Sequence, residues 1–191
     1  DSLARRAEQA LQVCAFANAE AAVAADSTQH ERHAKLFEEV ARRWPRYEHA
    51  PLAQYRAALA WLAAGHTRQG VEALHELAER WPTNALAREA HLRSAQALEA
   101  AGEREHAASA WLEFSRRHPD DPDADVAWLR AADLCDSAGL GPRADDLRAQ
   151  YLKLWPNDHA AAIEILETLA HKELLSLGTD QPLSTLLGSG V

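Results

Sequence analysis

Three arginines, Arg56, Arg93 and Arg130, recur at a fixed step of 37 residues. A guanidinium is a planar, always-charged fork that grips carboxylates and carbonyl oxygens, so one per step forms a ladder suited to an extended ligand. The same groups could instead brace their own or neighbouring helices. Glu89 stands four residues before Arg93 and Asp133 three after Arg130, both within helical reach for pairing. Ligand contact and structural bracing are therefore both open for each arginine.

Other reactive side chains offer less. His30 and His33 share a helix face at a spacing that can hold a metal, but no Cys or acidic residue is placed to complete the site. His75-Glu76 does not extend to a zinc-protease motif, because residue 79 is Glu. No GxSxG, phosphate-binding glycine loop or Cys–His context is present, and the carboxylates are scattered along polar faces. The chain reads as non-catalytic, with no metal and no cofactor. Cys14 and Cys135 lie too far apart along a repeat array for a disulfide, and their apolar neighbours suggest two small buried hydrophobes.

The elements that must carry these residues are marked by the same ruler. Trp44-Pro45, Trp81-Pro82, His118-Pro119 and Trp155-Pro156 keep the 37-residue step, as do Gly65, Gly102 and Gly139. Two alanine columns, Ala58, Ala95, Ala132 and Ala64, Ala101, Ala138, hold the same register. Five independent columns in one phase make a tandem repeat. Each proline stops the helix before it, a short polar loop rich in Asn and Asp supplies helix starts, and each glycine ends the next helix. The second helix carries an apolar stripe: Val71, Leu74, Leu77 and Trp81, then Ala107, Trp111 and Phe114, then Leu147, Tyr151 and Leu154. Such hairpins cannot bury their apolar faces alone, but stacked units can.

This predicts an all-α, right-handed superhelical solenoid of helix-turn-helix units over residues 1–177. The repeats fall at about 8–44, 45–81, 82–118 and 119–155, with a capping helix at about 158–176 and a flexible tail at 178–191. The first unit is degenerate, since "ADSTQH" lacks the turn glycine. Scarce Gly and Pro, eight each, agree with a helical chain. A net charge of −9 removes the general basic face that nucleic-acid binding needs. No apolar run is long enough to span a bilayer, so membrane association would go through a partner or an anchor upstream. The chain contains no Met, and Asp1 reads as a mature N-terminus or a cut site.

Paired helices, a turn Gly, a small residue five positions later (Gly70, Ala107, Ala144) and a closing Pro resemble tetratricopeptide repeats. The resemblance covers about residues 8–175. The period of 37, three more than the usual repeat, and phrases such as "WPRYEHAPLAQYRAALAWLAAG" resemble a particular subgroup. That subgroup includes the Tol–Pal system coordinator and the lipoprotein of the outer-membrane barrel-assembly machinery. The chain departs from the family at Gln54, His91 and Trp128, where an aromatic is frequent, and at Arg148, which replaces an apolar residue.

The resemblance implies a concave groove lined by the first helix of each unit. The register maps Tyr55, Arg56, Leu59, Leu92, Arg93, Gln96, Leu129, Arg130 and Asp133 onto it, with Trp128 near its mouth. It further implies a scaffold or adaptor that holds a protein or peptide in that groove. The setting implied is a periplasmic or outer-membrane-associated assembly. A cytoplasmic regulatory module and an architectural subunit of a larger complex are the alternatives.

Overall fold

The computed structural model describes residues 2–176, and the expected tail at 178–191 lies outside them. The described residues form nine helices in chain order: α1 (Ser2–Ala25), α2 (His30–Arg43), α3 (Ala50–Ala63), α4 (Thr67–Arg80), α5 (Ala85–Ala100), α6 (Arg104–Arg117), α7 (Ala124–Ser137), α8 (Gly141–Leu154) and α9 (His159–Ser176). Each packs chiefly on its neighbours in sequence, and no strand occurs among the described residues. The architecture is all-α, with successive helices stacked as TPR-like hairpins.

The periodic residues act as punctuation in identical conformations. Trp44, Trp81, His118 and Trp155 end α2, α4, α6 and α8 with φ of −128°, −130°, −127° and −122°. A residue before proline is driven out of the helical region, while its N–H still closes the last helical turn. Its carbonyl then accepts from a residue three further on, as in Asn84 N to Trp81 O at 3.0 Å.

Within the hairpins, Gly65, Gly102 and Gly139 have φ of +79°, +76° and +77°. Each closes a paired-hydrogen-bond cap, for example Gly102 N to Glu99 O at 2.9 Å and Glu103 N to Leu98 O at 3.0 Å. A Cβ at Gly102 would meet nothing within 4 Å, so only the backbone conformation demands glycine there. Gly102→Ala is expected to cost about 1–2 kcal/mol in urea unfolding, the left-handed penalty of an L-residue. The first hairpin, lacking glycine, turns on Asp26, whose carboxylate accepts from Thr28 N (3.0 Å), Thr28 Oγ1 (2.6 Å) and Gln29 Nε2 (2.7 Å). Those donors hold the Asp26 pKa down to about 2.

The polar loops cap less uniformly than their Asn and Asp content suggests. Asn84, the residue before α5, accepts from Leu86 N at 2.9 Å, but Asp123, the residue before α7, makes no cap bond. Asp121 organises that loop instead, accepting from Asp123 N at 3.0 Å.

The core is a succession of clusters rather than one globule. Phe16, Phe37, Val40 and Ala57 join α1, α2 and α3, and Ala58, Leu74, Leu77, Ala87 and Ala90 join α3, α4 and α5. Leu112, Trp128, Cys135, Leu147, Tyr151 and Ile165 join α6 to α9. Ala58, Ala95 and Ala132, one alanine column, are each fully buried where helices cross.

Two expectations fail here. Leu154 is exposed, because it precedes Trp155 in the column that holds Arg43, Arg80 and Arg117, all solvent-facing. Cys14 is exposed while Cys135 is buried, because α1 packs only through residues from its C-terminal half, such as Phe16 and Ala19.

Candidate functional site: the first-helix groove

The first helices α1, α3 and α5 frame two adjoining cavities. One, of 530 Å³, lies between α1 and α3 over α2, walled by Glu20, Val23, Phe37, Arg56 and Leu59. The other, of 370 Å³, lies between α3 and α5, walled by Leu59, Leu62, Arg93, Gln96 and Ala97. Leu59 belongs to both, so they form one trough running over α3. Its lining is largely apolar, with His30 and His33 at the α1–α3 end, and its rims carry guanidinium groups.

Arg56, Leu59, Arg93 and Gln96 are the expected residues that the trough brings together. Leu59 is 37% exposed on the alanine-rich helix α3. Tyr55 is half-buried beside it, its hydroxyl 3.4 Å from Glu89 Oε1, and burial raises its pKa. Leu92 is half-buried on α5.

Every arginine of the ladder already holds a carboxylate. Arg56 pairs with Glu20 of α1 and lies over the rings of Phe16 (5.4 Å) and Phe37 (5.7 Å). Arg93 pairs with Glu89 one turn earlier at 2.8 Å, and this hydrogen bond raises the guanidinium pKa. Arg130 reaches back from α7 to Glu99 of α5, which also accepts from Trp111 Nε1 at 2.8 Å. The Arg130 hydrogen bond lowers the Glu99 pKa. The three side chains nonetheless stay 38%, 49% and 52% exposed, leaving part of each fork open to solvent.

The α7 members do not extend the trough. Trp128 is a correction: it is 4% exposed, its Nε1 donates to Leu147 O at 2.9 Å, and its ring meets Trp155 edge-on at 5.8 Å. An indole can span from α7 to α8 and satisfy its N–H there, so it fills the hairpin rather than the groove mouth. Leu129 is half-buried against the α6–α9 cluster, and Asp133 bonds Arg148 Nη2 at 2.8 Å instead of Arg130. Neither they nor Arg130 line the two cavities.

Sequence reasoning missed Glu20, Val23 and Phe37 as groove walls. They sit in the degenerate first unit, where no repeat column marks an inward position. It also missed Glu99 as the partner of Arg130, since that pairing spans 31 residues and follows no helical spacing.

His33 is buried and His30 half-exposed, with rings edge-on at 6.5 Å. Among the described residues no group of three or more His, Cys, Asp or Glu is arranged to hold a metal, and no helix is long and apolar enough to cross a membrane.

Residues 52–84, from α3 to just before α5, match the tetratricopeptide repeat model. A crystal structure of the nearly identical TPR-like repeats of a candidate kinesin light chain from Podosopora anserina is similar at 16% identity and TM-score 0.48, covering 96% of this chain and 92% of that one. A second crystal structure of that protein, with one substitution, gives 16% identity and TM-score 0.47 over 98% and 93%. No curated protein matches the chain. One hairpin, α3–α4, matches the repeat model, and α5–α6 and α7–α8 are built on the same glycine turn, so the described helices stack as TPR-like repeats.

Proposed function

We propose that this protein is a non-catalytic scaffold that holds an extended segment of a partner protein in the trough across α1, α3 and α5. The observation that carries this is Leu59, exposed at the centre of two joined cavities with Arg56 and Arg93 on the rims. An apolar floor between charged rims suits a peptide that inserts apolar side chains and satisfies its backbone or carboxylates at the edges. Neighbouring helices stand roughly 8–10 Å apart, close to the span of about three extended residues. The ligand therefore presents two apolar anchors about three positions apart. The setting in a bacterial envelope assembly rests on the Trp-Pro phrase of the sequence.

Peptides selected from a random display library against the intact protein test this. Leu59→Asp is expected to weaken the selected peptides at least about tenfold, because one anchor of roughly 1.5–3 kcal/mol is lost. The melting temperature should stay within a few degrees, since Leu59 is not a core residue. Peptides that bind Leu59→Asp as well as wild type, or that instead lose binding on His106→Ala on the far face, would overturn the reading.

A further inference from the structure

The open ends of three hairpins are each tied by a different chemistry at one register position. In α3–α4, Gln54 donates to Ala73 O at 3.3 Å and to Glu76 at 3.1 Å. In α7–α8, Trp128 donates to Leu147 O. In α5–α6 the tie is an imidazole pair: His91 Nδ1 lies 3.1 Å from His118 Nε2, with ring centroids 5.2 Å apart. His118 also stands where the other three units close with tryptophan.

We propose that His91 and His118 form an acid-sensitive latch at the open end of the α5–α6 hairpin. Two imidazole nitrogens at this distance share one proton, one donating and the other accepting. With both rings protonated, two N–H groups face each other and two positive charges adjoin. The tie then breaks. Both rings are partly buried, and burial pushes both pKa values below the ordinary histidine value.

The surroundings are mixed in charge. His75 faces the pair from α4, Arg88 from α5, Glu113 and Arg117 from α6, and Asp121 from the loop into α7. Glu113 and Asp121 favour the protonated rings, while Arg88, Arg117 and His75 oppose them. Asp121 is already engaged by Arg88 at 2.5 and 2.9 Å, and Asp123 adds a contact to Arg88 at 3.2 Å. Arg88 in turn covers the Phe114 ring that His118 packs against. Opening the latch therefore frees the end of α6, loosens its loop to α7 and uncovers Phe114.

The sign follows from linkage. A histidine whose folded pKa is depressed keeps its full contribution above the unfolded value near 6.5 and loses it as pH falls toward the folded value. Local opening should increase by up to about tenfold per proton for each pH unit in that interval.

Hydrogen exchange on the whole chain at about pH 7.5 and about pH 5.5, corrected for intrinsic rates, reads this directly and needs no partner. Amides around His118 are expected to lose protection in acid, while those around Trp81, the equivalent site of α3–α4, keep theirs. The double variant His91→Gln/His118→Trp transplants the α3–α4 residues and should remove the difference. Equal acid sensitivity in the variant, or equal loss around Trp81, would overturn the proposal. Imidazole nitrogen NMR on wild type gives an independent reading that does not depend on the variant folding. Both rings should titrate below free histidine, and two rings titrating separately near 6.5 would sink the latch.

Discussion

Trp128→Ala is expected to lower the unfolding free energy by about 3–5 kcal/mol, the cost of emptying a buried aromatic site. The indole is enclosed by α7 and α8, stacked edge-on against Trp155 and covered by the Arg116 guanidinium at 5.4 Å. Removing it opens a void beside Leu147, Tyr151 and Ile165, the cluster that holds the last four helices together. Trp128→Phe keeps much of the ring and gives up the hydrogen bond to Leu147 O, so it should lose less than Ala. Urea unfolding read by helical circular dichroism ranks the three proteins. An alanine variant within about 1 kcal/mol of wild type would return the ring to the surface, where the sequence reading had put it.

Arg148→Ala is the second large loss, expected at about 3 kcal/mol. The Arg148 side chain is only 9% exposed, yet it binds Asp133 at 2.8 Å and Asp136 at 2.6 Å and approaches Asp145 at 3.6 Å. Burial pushes its pKa down, and the hydrogen bonds it donates to Asp136 and Asp133 more than reverse this. Without the guanidinium, Lys172 alone is left to balance Asp136 (2.8 Å) and Asp145 (2.6 Å). Three carboxylates then crowd the junction of α7, α8 and α9. Arg148→Met retains an apolar stem in the buried part of the site and should recover some of the loss. Lys172→Met, at a more exposed position, should cost no more than about 1 kcal/mol. If Arg148→Ala and Lys172→Met melt alike, the ion cluster is a surface feature and α9 is held by Ile165 and its neighbours alone.

These two residues also mark where reading the sequence stopped. Arg148 looked like a fault in an apolar stripe, and Trp128 like an exposed ring at a groove mouth. Whether a charged or aromatic side chain is inside depends on what the neighbouring helix brings to it. Asp133 and Asp136 lie on α7, and Leu147 O lies on α8, each at a separation that no single-helix periodicity encodes. The arginine ladder shows the same limit. Only Arg93 has a partner within its own helix, whereas Arg56 and Arg130 reach to α1 and α5.

What the sequence determined by itself was everything carried by backbone chemistry within a few residues. Proline removes a donor and bends its predecessor out of the helix, glycine accepts a positive φ, and alanine columns admit close crossings; each acts locally and repeats every 37 residues. Helices, turns and their stacking order follow from that alone. The tertiary structure decided which side chains meet across helices: the trough around Leu59, the carboxylate on each arginine, the burial of Trp128 and the facing imidazoles of His91 and His118. Those contacts join residues far apart in the chain, and they depend on rotation and offset between packed helices, which no local preference fixes.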